Sequence, residues 1–265
     1  MSSTYLEAGN GFTDAGAMSR LRIFRAYLTE AKYECIRMLR MPSFGIPLLA
    51  LPVMLFLLFG VLIFGKSIQG DPDTGKWIFT AFAVMGMMGP GMFGFGVSLA
   101  IEREQGLLKL KRALPMPPAA YLVAKMFTAL AFGAIIMATM AAALPVGHVP
   151  LSAGQVFGVA TINILGTLPF CAIGLFIGTL ATGRSAPAFV NIFYQMMLHL
   201  SGLFYPLPKV LRAIRPIWPT YHLQQLVLWA AGVASDGRPI VHAAALAGLT
   251  VVLVELSARR LARIG

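Results

Sequence analysis

Six long apolar stretches, at about 45 to 64, 77 to 101, 119 to 144, 156 to 181, 188 to 206 and 240 to 257, run through this chain with almost no charge inside them. A bilayer presents roughly 30 Å of hydrocarbon, which about 20 apolar residues cross as a helix. Each stretch therefore reads as a crossing, and the expected fold is an all-α membrane protein with six transmembrane helices. Only 12% of the residues are charged and 58% are hydrophobic, whereas an ordinary soluble domain carries about a quarter charged residues.

The formal net charge of +11 does not mark a nucleic-acid binder. A DNA-binding face gathers its basic residues on one folded polar surface, whereas here they lie in short segments flanking apolar runs, where orientation and anionic lipid headgroups account for them. With both termini in the cytoplasm, 14 of the 21 basic residues fall on inner segments, among them Arg20, Arg37, Arg103, Lys109, Arg184 and Arg260. Six, including Lys66, Lys76, Arg215 and Arg238, fall outside, and Lys125 sits two turns into the third span. The positive-inside bias predicts that orientation. Residues 1–18 are small and polar, lack the start of a secretory signal, and are expected to be a flexible cytoplasmic N-terminus.

Residues 19–41 read as an amphipathic elbow helix lying in the membrane surface, and 42–265 as the transmembrane domain. Leu21, Phe24, Leu28, Ala31, Cys35 and Leu39 recur at spacings of three and four and form one apolar stripe, with Arg22, Arg25, Lys32 and Arg40 to one side. Pro42 is expected to end this helix. The helix is either a contact for a cytoplasmic partner or a passive anchor. Inside the second span, Gly86, Gly89-Pro90-Gly91, Gly94 and Gly96 predict a kinked helix that faces other helices or a cavity, because the proline frees a carbonyl that lipid cannot satisfy. Gly174 and Gly178 in the fourth span read as close-packing positions.

Between the fifth and sixth spans, four prolines, Trp218, Tyr221 and Trp229 surround the apolar run Leu223 to Val233, which is too short to cross. It reads as a re-entrant or interfacial helix on the outer side, suited to act as a lid. His148, His222 and His242 are expected to be solvated there, and His199 to be a packing histidine. Cys35 and Cys171 are expected to be unpaired.

Gly60-Val61-Leu62-Ile63-Phe64-Gly65-Lys66-Ser67 matches the expression for a phosphate-binding loop but lacks its context, since the residues before it end a span and those after it read as a turn. No catalytic residue, metal-ligand cluster or cofactor motif emerges. Ion-coupled carriers need ionisable groups at mid-membrane, and those are nearly absent. Driving energy is therefore expected from another polypeptide.

The segment after the second span, Glu102-Arg103-Glu104-Gln105-Gly106 through Pro115, followed by Lys125 early in the third span, resembles the cytoplasmic signature of ATP-binding-cassette (ABC) type-2 exporter permeases. Leu107 stands where threonine is usual, Lys109 where an acid is common, and Leu114 where Thr or Ser often precedes the proline. The resemblance implies a non-catalytic permease subunit in the inner cell membrane that pairs with a second copy or a related permease. A separate nucleotide-binding subunit would carry the ATP and magnesium. ATPase coupling would fall to Glu102, Arg103, Glu104, Gly106, Leu107, Leu108, Lys109, Leu110, Lys111, Arg112 and Pro115. The substrate path, between the second and fifth spans of two protomers, would be lined by Met92, Phe93, Phe95, Asn191, Phe193, Tyr194, Met197 and Phe204, which suits hydrophobic or amphipathic cargo such as a drug, lipid or metabolite. The alternatives are an ion-gradient-driven secondary carrier and a membrane-embedded enzyme.

Overall fold

The structure, a computed structural model, describes residues 20–40, 42–108, 110 and 118–264. Among them there is no strand. Helix α1 (Arg20–Leu39) is followed by α2 (Pro42–Leu55), whose last turns widen into a π-helix over Phe56–Ile63. After the short α3 (Gly65–Gly70), α4 (Pro72–Gly89) continues through a second π-helix, Pro90–Val97, into α5 (Ser98–Glu104). Then come α6 (Pro118–Ala143), α7 (Ala153–Leu165), α8 (Thr167–Leu180), α9 (Ala186–Leu200), α10 (Lys209–Arg212), α11 (Pro219–Ala230) and α12 (Pro239–Ile264).

Five helical stretches among the described residues are long and apolar enough to cross a bilayer: Gly45–Ile63, Pro72–Glu104, Tyr121–Ala143, Ala153–Leu180 and Pro239–Leu261. The chain is thus a multi-pass membrane protein by length and composition. The fifth predicted stretch, 188 to 206, differs: α9 stops at Leu200 after 15 residues, about 22 Å at 1.5 Å per residue. Gly202 adopts a left-handed φ of 77°, a conformation that costs a residue with a side chain far more, and the chain leaves the helix there.

The long Pro72–Glu104 helix is the hub. Asp71 caps it, accepting from the Asp73 amide at 3.1 Å and from the Thr74 hydroxyl at 2.7 Å, and Pro72 occupies the first helical turn, where a missing N–H costs nothing. Its middle is almost wholly buried, with Phe79, Met87, Met88 and Met92 among the residues most enclosed, while Gly45–Ile63 and α12 turn Met54, Leu62, Ile240 and Val251 outward. That distribution suits one central helix ringed by others that face hydrocarbon.

The hub meets α8 through glycines. A Cβ on Gly96 would stand 2.6 Å from the Gly174 carbonyl oxygen, one on Gly174 2.7 Å from that of Gly91, and one on Gly178 2.7 Å from that of Gly96. In a π-helix, residues five apart are hydrogen-bonded neighbours on successive turns, so the widening that begins at Pro90 sets Gly91 and Gly96 on the side facing Gly174 and Gly178. The kink expected from Pro90 thus takes the form of a π segment, and the small residues bring two backbones into contact.

Helix α1 packs on α6, but not by its whole apolar stripe. Ala31, Glu34 and Met38 are buried, whereas Phe24, Leu28 and Leu39 are exposed. At 100° per residue, the buried face lies roughly 75° round the helix from the centre of the stripe. Leu21's side chain lies outside the described residues, as does the 1–18 segment.

The phosphate-loop pattern falls in helix. Gly60 lies in the first π-helix, and α3 follows Phe64 where a turn was expected after Ser67, leaving only Asp71 outside helical structure before α4. No strand leads into it, so the backbone amides that would cradle phosphate are engaged in helix. In the segment between α9 and α12, α11 begins at Pro219, four residues before the apolar run, and buries Thr220, Leu223, Gln224 and Val227 against α4, α7 and α12. Leu223 fits the notch at Gly166 where α7 passes into α8. Cys35 and Cys171 are both free thiols.

Candidate functional site

The charged end of the hub helix, Glu102 to Glu104, does its bonding inside the chain. Lys125, two turns into α6, is almost fully buried, and its three ammonium protons all find acceptors: Glu34 Oε1 at 2.6 Å, Ser98 Oγ at 2.8 Å and Glu102 Oε1 at 3.1 Å. Arg37 donates to the same two carboxylates, at 2.7 Å to Glu34 and 2.6 Å to Glu102. Tyr121 donates its hydroxyl to Glu102 Oε2 at 2.7 Å, and its ring lies 5.1 Å from the Lys125 ammonium. Two cations thus face two carboxylates, which offsets the cost of burying them. Burial alone would lower the Arg37 guanidinium, but the Glu102 and Glu34 carboxylates outweigh it and hold Arg37 above its ordinary range.

The next two residues turn the other way. Arg103 donates to the carbonyls of Thr179 and, at 2.6 Å, Ala181, which sit at the end of α8 where a helix leaves its last carbonyls free and its dipole favours a cation. Glu104 Oε2 accepts the Gly183 amide at 3.0 Å. The loop it grips is itself folded tight, with Thr182 and Ser185 exchanging bonds between side chains and backbone amides. Gly106, at φ 72°, then ends the hub helix in the left-handed conformation. Three consecutive residues, Glu102, Arg103 and Glu104, therefore tie α1, α6 and the α8–α9 loop to the foot of the second span.

Residues 25–231 match the family described as ABC-2 type transporter. The chain belongs to the ABC-2 type transporter family. Among curated proteins, it is 26% identical over 168 residues to "Putative transport permease YvfS" of Bacillus subtilis (strain 168). That match takes in 57% of this chain and 64% of the relative, so it spans less than two thirds of the relative's length.

In this ABC-2 chain the expected coupling residues divide. Glu102 is buried at 3% exposure and has no face to offer a partner, Arg103 is half-buried and Glu104 is exposed. Leu107 and Leu108 are half-buried, with Leu108 packed on the cluster of Phe95, Leu99 and Tyr121, and Leu110 is exposed. Lys109, Lys111, Arg112 and Pro115 lie outside the described residues. The expected path residues divide too. Met92, Phe95 and Met197 are buried within the single chain, and Phe204 is half-buried against Phe82. Phe93 and Tyr194 meet edge to face at 5.5 Å, while Asn191 and Phe193 are exposed on α9.

Glu34, Ser98, Tyr121 and Gly183 belong to the site and were not singled out from the sequence. Nothing in the sequence distinguishes Glu34 from Glu30 on the same helix, because its partner Lys125 is 91 residues away and only the fold joins them. His199, expected as a packing histidine, is exposed, and its Nδ1 donates to the Gln195 carbonyl at 2.8 Å one turn back on α9.

Proposed function

We propose that this chain is the transmembrane permease subunit of an ABC exporter, moving a hydrophobic or amphipathic substrate out of the cytoplasm with ATP hydrolysed by a separate nucleotide-binding subunit. The observation that carries this reading is the three-residue junction at Glu102, Arg103 and Glu104. A push applied to the segment beyond Gly106 reaches α1 and α6 through Glu102 and reaches α8 and α9 through Arg103 and Glu104. Such a bonded block moves as a rigid body, which is how closure of a motor subunit is transmitted to a pathway. Exposed Leu110 offers apolar surface for docking, beside the basic residues that follow it in sequence.

In this reading α9, together with residues 201–206 that follow it, is the fifth of six crossings, α1 is the elbow helix, and α11 is the re-entrant element on the outer side. Both termini lie in the cytoplasm of an inner membrane. A second copy, or a related permease, faces α9. Asn191 and Gln195 are exposed beside Phe189, Ile192, Phe193 and Met196, and amides at that depth favour a protein or aqueous neighbour over lipid. Met92 and Met197 then back the pathway wall, and Phe93 and Tyr194 sit at its edge.

The test is reconstitution of the chain with an ABC ATPase in liposomes, with ATPase rate and uptake of apolar dyes measured together. Stimulated hydrolysis and dye movement that both require ATP support the reading. Dye movement driven by an ion gradient with no ATPase present overturns it.

A further inference from the structure

Two histidines expected to be solvated are bonded to each other. His222, one turn into α11, and His242, one turn into α12, bring their Nδ1 atoms to 2.9 Å, and His242 is 5% exposed. Each ring's other nitrogen meets a backbone carbonyl: His222 Nε2 lies 2.8 Å from the Pro216 oxygen, and His242 Nε2 is bonded to the Asp236 oxygen.

A carbonyl oxygen can only accept, so both Nε2 atoms carry hydrogen. If both rings were neutral, the two Nδ1 lone pairs would then face each other at 2.9 Å with no hydrogen between them. If both were imidazolium, two N–H groups would collide and two like charges would stand with ring centroids 5.1 Å apart. One proton between the two Nδ1 atoms resolves both conflicts and forms a charge-assisted N–H···N bond.

We propose that His222 and His242 form a one-proton binding site that latches α11 to α12, closed while a single proton is shared and opened when a second one binds.

The surroundings suit a single positive charge. Tyr221 on α11 stacks edge-on against both rings, at 5.3 and 5.6 Å. Its hydroxyl lies 3.5 Å from Asp236 Oδ2, which in turn pairs with Arg215 at 3.0 Å, so the nearest carboxylate and guanidinium largely cancel. Arg238, in the loop before α12, is exposed. Of the helices packed against α11, α4 brings Asp73 and Lys76, which pair with each other at 3.2 Å, and α7 carries no charged residue. Burial, and then the charge of His242, hold His222 below the ordinary imidazole range despite the Pro216 carbonyl, as expected of the ring that resists the second proton. The latch joins four places in the chain: the turn at Pro216, the first turns of α11 and α12, and the loop at Asp236. Its opening would free the segment between α9 and α12.

The test uses the full chain in detergent micelles with histidine ring nitrogens labelled with ¹⁵N. Its four histidines are assigned by H148Q, H199Q and H242Q. The expected result is that two rings titrate together in two steps at least about one pH unit from each other. In H242Q, His222 then titrates in a single step. Amide exchange across α11 should quicken as pH falls through the lower step. Independent titration of the two rings at one shared midpoint overturns the proposal. So does collapse of the two-step behaviour on adding EDTA, which would assign the pair to a metal ion. If H242Q does not fold, the wild-type titration decides alone. The outcome does not depend on whether the chain exports anything.

Discussion

Lys125 Nζ lies 2.6 Å from Glu34 Oε1, so an ammonium at the start of the third span is neutralised by the helix that precedes the first. Both groups are almost fully buried, and Glu102 and Arg37 complete the cluster. Removing one member leaves the others short of a partner, which costs more than the pair contributes when intact. Lys125→Met should therefore destabilise the fold by roughly 3–5 kcal/mol. Adding Glu34→Gln should restore part of that loss, because without Lys125 the single Arg37 guanidinium faces two carboxylates and the double variant leaves it only Glu102. Thermal unfolding of the two single variants and the double variant checks this, and additive losses would show that the two side chains do not interact.

The contact between the hub helix and α8 makes a steric prediction with a built-in control. Gly174→Ala forces a methyl group to 2.7 Å from the Gly91 carbonyl oxygen and 3.0 Å from Met92 backbone, and backbone cannot swing aside. The cost should be about 1–3 kcal/mol, as for other overpacked sites. Gly248→Ala in α12 meets nothing within 4 Å and should stabilise that helix by up to about 1 kcal/mol. A comparison of melting temperatures separates the two, and equal effects would remove the glycine contact as the reason for close packing.

The cap of the hub helix should depend on pH. The Thr74 hydroxyl, and after it the Asp73 amide, hold the Asp71 carboxylate below its usual range. A carboxylate with a lowered pKa favours the folded form at neutral pH, and that contribution fades as pH falls below about 4 through the folded value. Exchange of the Asp73 and Thr74 amides should accelerate across that window in the wild type. Asp71→Asn, which cannot titrate, should show the same exchange at pH 7 and pH 3.5 once the intrinsic rate is taken out.

What could be read ahead of the fold depended on distance along the chain. Apolar length alone located the first to fourth and the last crossings to within a few residues, because a span is a local property. The end of α9 was local too, yet a hydropathy window passes over it: the apolar run continues to Pro206, while Ser201 and Gly202 carry the stop signal. The face of α1 that packs inward could not be read from periodicity, because Glu34 counts as polar until Lys125 stands opposite it. The histidine pair has the same character. Each imidazole looks like a solvated residue near a helix start, and only the return of α12 beside α11 makes them neighbours.

The loop at Gly183 offers the most direct separation of fold from transmission. Its amide is held by Glu104, and a Cβ placed there would lie 2.5 Å from Glu104 Oε2 and 3.2 Å from Ile101 Cα. In Gly183→Ala the Glu104 carboxylate can swing out to solvent, but the loop must also back away from Ile101, so the grip on α9 is lost. The stability cost should be modest, about 1 kcal/mol for one hydrogen bond at a partly exposed site. Arg103 supplies a graded companion, since its guanidinium holds two carbonyls at once and a lysine in its place can hold only one well. With an ABC ATPase present, stimulated hydrolysis should fall several-fold in Gly183→Ala, and Arg103→Lys should fall between wild type and Arg103→Ala. Melting temperatures measured on the same samples decide what kind of loss this is. If stimulation and stability decline in proportion, the residues only hold the fold together. If stimulation falls while melting barely moves, the junction transmits force, and wild-type stimulation in Gly183→Ala would show that α9 is driven by another route.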